Sequence, residues 1–308
     1  MNTDARDVKG TLAVWFRAVR PFAYSASAAP LLVGAAVALR ADAPAMWALL
    51  PFVLLGGVLF HTGTNLANDY FDYRSGVDKK HTFGSSGVIH EGLLQPAHIL
   101  SGAVVSFALG VAFGLVVVAV RGWPIVALGA AGLAGGYFYT GKPFQYKYHR
   151  LGDVGVFLMM GPLMALGSYL SLTGRFDWEL VWISTPVGFL VAAILHANNL
   201  RDIRYDSEAG VRTLANLIGH RASQALYIGM VAAAYAAVFA MIGVGVLGAW
   251  ALLTLASLPL AVKNVKLILT SRPEEPERIA HTDALTAQLH LTFSVLLFVS
   301  IVVEALVR

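Results

Sequence analysis

Two short runs of the chain combine carboxylates and carboxamides at helical spacing. The first is His61-x-x-x-Asn65-x-x-Asn68-Asp69-x-x-Asp72, followed by Asp78. The second is Asn198-Asn199-x-x-Asp202-x-x-x-Asp206. Steps of three or four residues stay on one helix face, so His61, Asn65, Asp69 and Asp72 form one stripe and Asn198, Asp202 and Asp206 another. The spacing Asn-x-x-x-Asp occurs at 65/69 and again at 198/202, which predicts equivalent places in an internal repeat. Two carboxylates on one face repel, and two such faces turned towards one cavity repel more. The arrangement is reasonable when a cation sits between them. Hard oxygen ligands suit Mg²⁺ or Ca²⁺, and Mg²⁺ takes one or two carboxylates together with substrate phosphates. The predicted chemistry is a diphosphate clamped through bridging Mg²⁺ by two acidic helices. The plainer alternative is that these acids mark solvated helix ends or pair with nearby arginines.

Basic and aromatic residues gather in the same parts of the chain. One loop reads Tyr139-Thr140-Gly141-Lys142-Pro143-Phe144-Gln145-Tyr146-Lys147-Tyr148, with Arg150 and Asp153 beyond it. Arg74, Lys79 and Lys80 follow the first acidic run, and Arg201, Arg204 and Arg212 accompany the second. A departing diphosphate gains negative charge as its bond breaks, and Lys, Arg and Mg²⁺ stabilise that charge directly. Lys142 or Lys147 is the foremost candidate, with Arg201 and Arg212 next. Tyr70, Tyr139 and Tyr148 offer π faces to a cation, or belong to an interfacial aromatic belt. His61 lies on the first stripe one turn deeper, and His196 reads as a core histidine. His81-Thr82-Phe83-Gly84-Ser85-Ser86-Gly87 suits a lid or an idle loop equally.

Such residues need elements to hold them, and composition says which. The 308-residue chain is 57% hydrophobic and 13% charged, with a mean hydropathy of +0.67. Soluble domains carry about 25% charged residues. A soluble globular enzyme is excluded, as is a disordered chain, which would be charge-rich and poor in apolar residues. The absence of cysteine excludes disulfides, thiolate metal sites and cysteine nucleophiles. A polytopic membrane protein is left, and no nucleic-acid partner is expected.

A helix needs about 20 mostly apolar residues to cross the hydrocarbon core. Nine stretches qualify: 21–40, 45–66, 99–120, 123–140, 153–174, 178–198, 223–243, 245–269 and 286–307. They are apolar on every face, which favours helices over strands of alternating polarity. The first is not expected to be a cleaved signal peptide. Nine spans sort the loops into two sets. One end carries Arg40, Arg121, Arg175 and Arg308; the other carries the remaining 18 of 22 Lys and Arg, and 14 of 18 Asp and Glu. By the positive-inside rule the charge-rich end is cytoplasmic. Loops at the opposite end are short, as at Gly122 and between Gly243 and Gly245. Those at the charged end are long (67–98, 141–152, 199–222, 270–285), and long loops in compact proteins are commonly functional. Gly110 and Gly114, spaced G-x-x-x-G, read as helix packing. Residues 1–308 are expected to form a single domain. A cation or lipid transporter is the rival of another class, but transporters place ionisable groups near mid-membrane on broken helices. Here the acids stand at one rim.

Asn68-Asp69-x-x-Asp72 with Asp78, and Asn199-x-x-Asp202-x-x-x-Asp206, in a nine-span chain, resemble the UbiA superfamily of intramembrane aromatic prenyltransferases. The likeness runs from about residue 15 to the last span. Several segments are similar to its 1,4-dihydroxy-2-naphthoate branch: Trp15-Phe16-Arg17-Ala18-Val19-Arg20-Pro21, Asn65-Leu66-Ala67-Asn68-Asp69-Tyr70, Tyr139-Thr140-Gly141 with Leu151-Gly152-Asp153, Asn198-Asn199-Leu200-Arg201-Asp202, and Ala209-Gly210-Val211-Arg212-Thr213, where Arg212 stands at a common Lys position.

The resemblance implies an all-α bundle of nine transmembrane helices around a central cavity open to the cytoplasmic side, in a bacterial-type inner membrane with the N-terminus cytoplasmic. It implies that Asp69 and Asp72, with Asn65 or Asn68, hold one Mg²⁺, and that Asp202 and Asp206, with Asn199, hold another. Both ions would grip a polyprenyl diphosphate; ionisation would give an allyl cation for an electron-rich aromatic ring to attack, with loss of CO₂ when that ring is dihydroxynaphthoate. The tail would lie in membrane lipid or in a side opening. Acceptors left open are 4-hydroxybenzoate, homogentisate and a prenylglycerol phosphate.

Overall fold

The structure, a computed structural model, describes residues 3–41, 44–78 and 85–307. Lys79, Lys80 and the 81–84 part of the expected lid lie outside them. The described residues form helices and turns, with no strand.

Helix α1 (Thr3–Val19) precedes the apolar stretches. The first stretch becomes a 3₁₀ turn, Pro21–Tyr24, and α2 (Ser25–Arg40). The next become α3 (Leu50–Ser75), α4 (Pro96–Arg121) and α5 (Trp123–Phe138). The fifth is interrupted: α6 (Gly152–Leu158) passes through a π turn, Met159–Leu163, into α7 (Met164–Thr173). Pro162 sits in that turn, where a missing N–H and a bulky ring disrupt α-helical bonding. Helix α8 (Glu179–Glu208), the short α9 (Leu214–Ile218) and α10 (His220–Gly243) follow. The last two spans are a 3₁₀ segment, Ala249–Ser257, leading into α11 (Leu258–Leu269), and a short turn, Pro276–Ile279, before α12 (Thr282–Val307). Eight of these spans are long and apolar enough to cross a membrane. The remaining one, α5, has 16 residues, and at 1.5 Å per residue is about 24 Å long.

Both acidic helices run past their apolar stretches. Helix α3 continues to Ser75 and α8 to Glu208, so the acids lie on helix and not in loops. Gly76, with φ +72°, ends α3 in a left-handed cap that an L side chain adopts at a penalty. Close packing positions the two helices. A Cβ at Gly110 of α4 would come within 3.3 Å of the Gly56 carbonyl of α3, and one at Gly161 would meet the Gly188 Cα of α8 at 2.8 Å. Small residues let membrane helices approach this closely. The G-x-x-x-G pair divides: Gly110 packs, whereas a Cβ at Gly114 would meet nothing within 4 Å.

Helix α8 is the central column. Leu180, Ile183, Val187, Leu190, Ala193, Ala197 and Leu200 are buried in the main core. Large apolar side chains such as Val104, Val105 and Leu115 of α4 face outwards, a pattern that suits lipid. At the charge-poor end, Trp47, Trp123, Trp178 and Trp250 stand exposed at the starts of helical segments. Amphipathic rings in such a row favour the headgroup level. There Arg121 donates through Nε to the Ser171 carbonyl (2.7 Å), and Arg40 to the Val246 carbonyl (2.7 Å), satisfying backbone oxygens at helix ends.

Candidate active site

On α3, residues 61, 65, 68, 69 and 72 share a face, as the helical period requires. Asp69 and Asp72 are almost completely buried, at 2% and 3% exposure. Each has a cation from another segment. Arg20 forms a salt bridge with Asp69, whose second oxygen accepts from the Ser86 hydroxyl (2.5 Å) and backbone N–H (3.2 Å). Asp72 accepts from Lys147 Nζ (2.7 Å) and from the Tyr148 hydroxyl. Lys147 also donates to Asn68 Oδ1 (3.0 Å). Arg20 reaches Asp69 from a left-handed backbone, φ 51° and ψ 62°, a conformation costing about 1–2 kcal/mol for a residue with a Cβ. Non-glycine strain of this kind concentrates at functional sites.

The loop between α5 and α6 supplies Lys147. Its N–H bonds back to the Tyr139 carbonyl (3.0 Å), which folds the loop over the end of α5. Nζ lies 5.7 Å from the ring centroids of both Tyr139 and Tyr148, within cation–π range. Burial works against the ammonium, but Asp72 and its hydrogen bond outweigh it and hold Lys147 well above the ordinary lysine range. Burial, and then the Asp72 charge, push the Tyr148 phenol up, so it remains a proton donor to that carboxylate. Asp78 is buried beside Asp72 and hydrogen-bonded to Ser85; burial, and then repulsion from Asp72, raise its carboxyl above the usual range.

The second acidic run differs. Asp202 is held by its own neighbour, Arg201, through two bonds, Nε to Oδ1 (2.9 Å) and Nη2 to Oδ2 (2.8 Å). Arg201 also donates to the Ala280 carbonyl (3.1 Å) and to Asp283 (3.4 Å) at the start of α12. Asp206 is intermediate in exposure on the same helix and lies within electrostatic reach of Lys147, Asp202, Asp72 and Arg201. Among the described residues no three His, Asp or Glu side chains converge on one point as a ready metal site. The donors fit a different arrangement, in which one or two carboxylates hold Mg²⁺ and phosphate oxygens complete its shell.

Beneath this polar rim lies a cavity of about 600 Å³. His61 and Asn65 of α3, Asn198 of α8 and Tyr139 line its upper part. Asn65 Nδ2 and Asn198 Oδ1 are buried with no partner among the described residues. These atoms occupy matching positions, one turn below Asp69 and Asp202, and both are available to a ligand. Deeper walls are apolar, with Met159, Met160 and Met164 and several glycines. At Gly114, Gly129, Gly132 and Gly167 a Cβ would meet nothing within 4 Å, so the missing side chains widen the chamber.

Five expected site residues stand apart from this group. Lys142, Arg74 and Arg212 are exposed. Tyr70 turns to the small core around Trp15 and stacks edge-on against Phe71. Asn199 faces away from the chamber and donates to Asp153 of α6 (3.2 Å). On the helical period 199 stands 100° from 198 but only about 20° from 206, so phase alone does not separate it from the acids; its bond to the Asp153 carboxylate does. Tyr148 meets Asp72 through its hydroxyl. Arg20 and Asp153 have no assigned role in the sequence, and Ser86 figures there only within the 81–87 lid segment, not as a partner of Asp69. For Arg20 the available signal was a lone arginine before Pro21, and for Asp153 a buried acid whose partner is 43 residues away.

An all-helical, membrane-spanning bundle with an apolar chamber under a rim of acids, amides and cations can accommodate an amphiphile with a charged head. The model of the UbiA prenyltransferase family matches residues 27–302, and the chain belongs to that family. The 1,4-dihydroxy-2-naphthoate octaprenyltransferase of Bacillus subtilis (strain 168) is 29% identical, over 94% of this chain and 93% of its own length. The UbiA prenyltransferase domain-containing protein 1 homolog of Drosophila melanogaster is 32% identical, over 94% and 79%. Among solved structures, the apo UbiA homolog from Aeropyrum pernix K1 superposes with a TM-score of 0.66 at 16% identity, covering 91% of this chain and 97% of that one. The UbiA homolog from Archaeoglobus fulgidus bound to GPP and Mg²⁺ gives 0.57 at 14% identity, covering 93% and 99%.

Proposed function

We propose that the chain transfers a polyprenyl group from its diphosphate to 1,4-dihydroxy-2-naphthoate, with loss of CO₂, in menaquinone biosynthesis. The observation that carries the transfer reaction is the stacking of a charged rim on an apolar chamber, which matches a substrate with a diphosphate head and a hydrocarbon tail. The naphthoate acceptor is supported by the name of the Bacillus subtilis relative and by the branch-like segments.

Asp69, Asp72 and Asn68 on one side, and Asp202 and Asp206 on the other, would hold Mg²⁺, as the Archaeoglobus fulgidus homolog does together with GPP. When bound, the metal neutralises diphosphate charge and assists its departure. The chain's own groups do the rest. Arg20 and Lys147 lie against Asp69 and Asp72 and turn to phosphate oxygens once the acids have another cation. Lys147 keeps its proton and stabilises the leaving group electrostatically. Asn65 and Asn198 orient substrate by their free amide atoms. The Tyr139 ring faces the developing allyl cation. Apolar walls keep water from that cation until the acceptor ring attacks; the ring's carboxylate then leaves as CO₂. We place the charged rim on the cytoplasmic side of a bacterial-type inner membrane, following the 18:4 division of basic residues.

Purified protein in lipid, with geranylgeranyl diphosphate and a panel of acceptors, tests this. Mg²⁺-dependent diphosphate release with dihydroxynaphthoate and not with 4-hydroxybenzoate, homogentisate or prenylglycerol phosphate is the expected result. Release with a different acceptor alone would move the assignment to it, and release with none would remove the proposal.

A further inference from the structure

Behind the second acidic face lies a buried polar group that does not reach the chamber. Asp153 opens the first turn of α6 and is 2% exposed. Both of its oxygens are used by α8: Oδ2 is 2.8 Å from His196 Nδ1, and Oδ1 accepts from Asn199 Nδ2 at 3.2 Å. His196, fully buried, sets its other nitrogen 3.2 Å from the Ser223 carbonyl of α10. The carboxylate thus joins α6 to α8, and through His196 the link extends to α10. Apolar packing alone would join them, and a carboxylate inside a membrane bundle is costly, so its presence calls for a role that packing does not supply.

Helical phase indicates what that role is. His196 lies about 120° round α8 from Asp202, and Asn199 about 60° from it, so the two bonds grip the helix from beside the acidic face. Two bonds from separate turns to one fixed carboxylate resist rotation of α8 about its axis. A 20° rotation would move its side-chain roots by about 1 Å, and a misplacement of that size can lower turnover about 100-fold. Asp153 also follows Lys147 by six residues, directly after the loop that carries it, so the same carboxylate ties that loop to α8. Resting on the reading of the rim as the diphosphate site, we propose that Asp153, acting through His196 and Asn199, is a positioning residue that sets the aim of the α8 ligands and their register with Lys147.

The test compares Asp153→Asn with the exchange variant Asp153→Asn/Asn199→Asp, which restores an amide–carboxylate pair with its polarity reversed. Asp153→Asn should lower kcat roughly 10–100-fold with the acceptor KM unchanged, and the exchange should recover most of that loss. An unchanged kcat in Asp153→Asn, or an exchange variant no better than the single one, overturns the proposal. Should Asp153→Asn fail to fold, His196→Asn, which keeps a donor where Nδ1 stands, is compared with His196→Ala. A smaller kcat loss for His196→Asn supports positioning, and equal losses overturn it. Wild-type turnover in the same assay separates the two readings. If it is absent, the function assignment falls; if it is present with Asp153→Asn at the wild-type rate, only the positioning role falls.

Discussion

The acidic ends of α3 and α8 share the spacing Asn-x-x-x-Asp, yet they keep their charges in different company. The α3 carboxylates are neutralised from elsewhere in the chain, Asp69 by Arg20 and Asp72 by Lys147. On α8, Asp202 is gripped by the adjacent Arg201, which is anchored again at Asp283 and is 1% exposed. A cation on a loop or bend can withdraw without moving the helix that bears the acid. One fixed to the same backbone and buried cannot. The contrast makes the α3 end the adaptable half of the rim and the α8 end the rigid half, although the two runs look alike as text.

The largest effect should fall on both halves alike. Asp72→Asn and Asp202→Asn should each reduce diphosphate release at least ~100-fold. A loss confined to one would break the equivalence of the two helices. The next should separate them. Arg201→Gln leaves Asp202 and Asp283 without their partner in a buried setting, and breaking such a pair costs about 3–5 kcal/mol, so its melting temperature should drop by several degrees. Arg20→Gln should cost clearly less, about 1 kcal/mol, because Arg20 is partly exposed and Asp69 keeps its two bonds from Ser86. Similar melting losses for the two variants would erase the distinction. The smallest concerns pH. Lys147 is held above the ordinary lysine value of 10.5, so its stabilising pairing with Asp72 is complete below that value and is lost only as pH rises beyond it. The melting difference between wild type and Lys147→Met should therefore stay constant from about pH 8 to 10. A gap that narrows within that window would contradict the pairing.

The frame of this molecule was legible because lipid imposes a simple rule: runs of apolar residues become helices. Both acidic stripes were legible for a related reason, since one helical period links 65 to 69 and 198 to 202. Helix α1 was not, being amphipathic and too polar to stand out by hydropathy. Neither was the choice between Lys142 and Lys147, which the fold of the Tyr139–Tyr148 loop makes. Asn199, which the resemblance groups with Asp202 and Asp206, is bonded to Asp153, a partner 46 residues away that local spacing does not reveal. The counterions were hidden for a deeper reason. Arg20 and Lys147 are 49 and 75 residues from the acids they meet, and only the packed bundle brings them there.

The division of the chamber into a polar top and an apolar bottom also bears on how a turnover ends. On the proposed reaction a prenyl diphosphate would be held at both extremities, by its charge at the rim and by its tail below. Once the carbon–oxygen bond was broken, the new molecule would have a tail and an aromatic head but no diphosphate for the rim to grip. Its free energy would then favour the surrounding lipid, while the cleaved diphosphate would favour water. Bond cleavage would in this way part the two products along opposite routes, with no separate unlocking motion required of the helices.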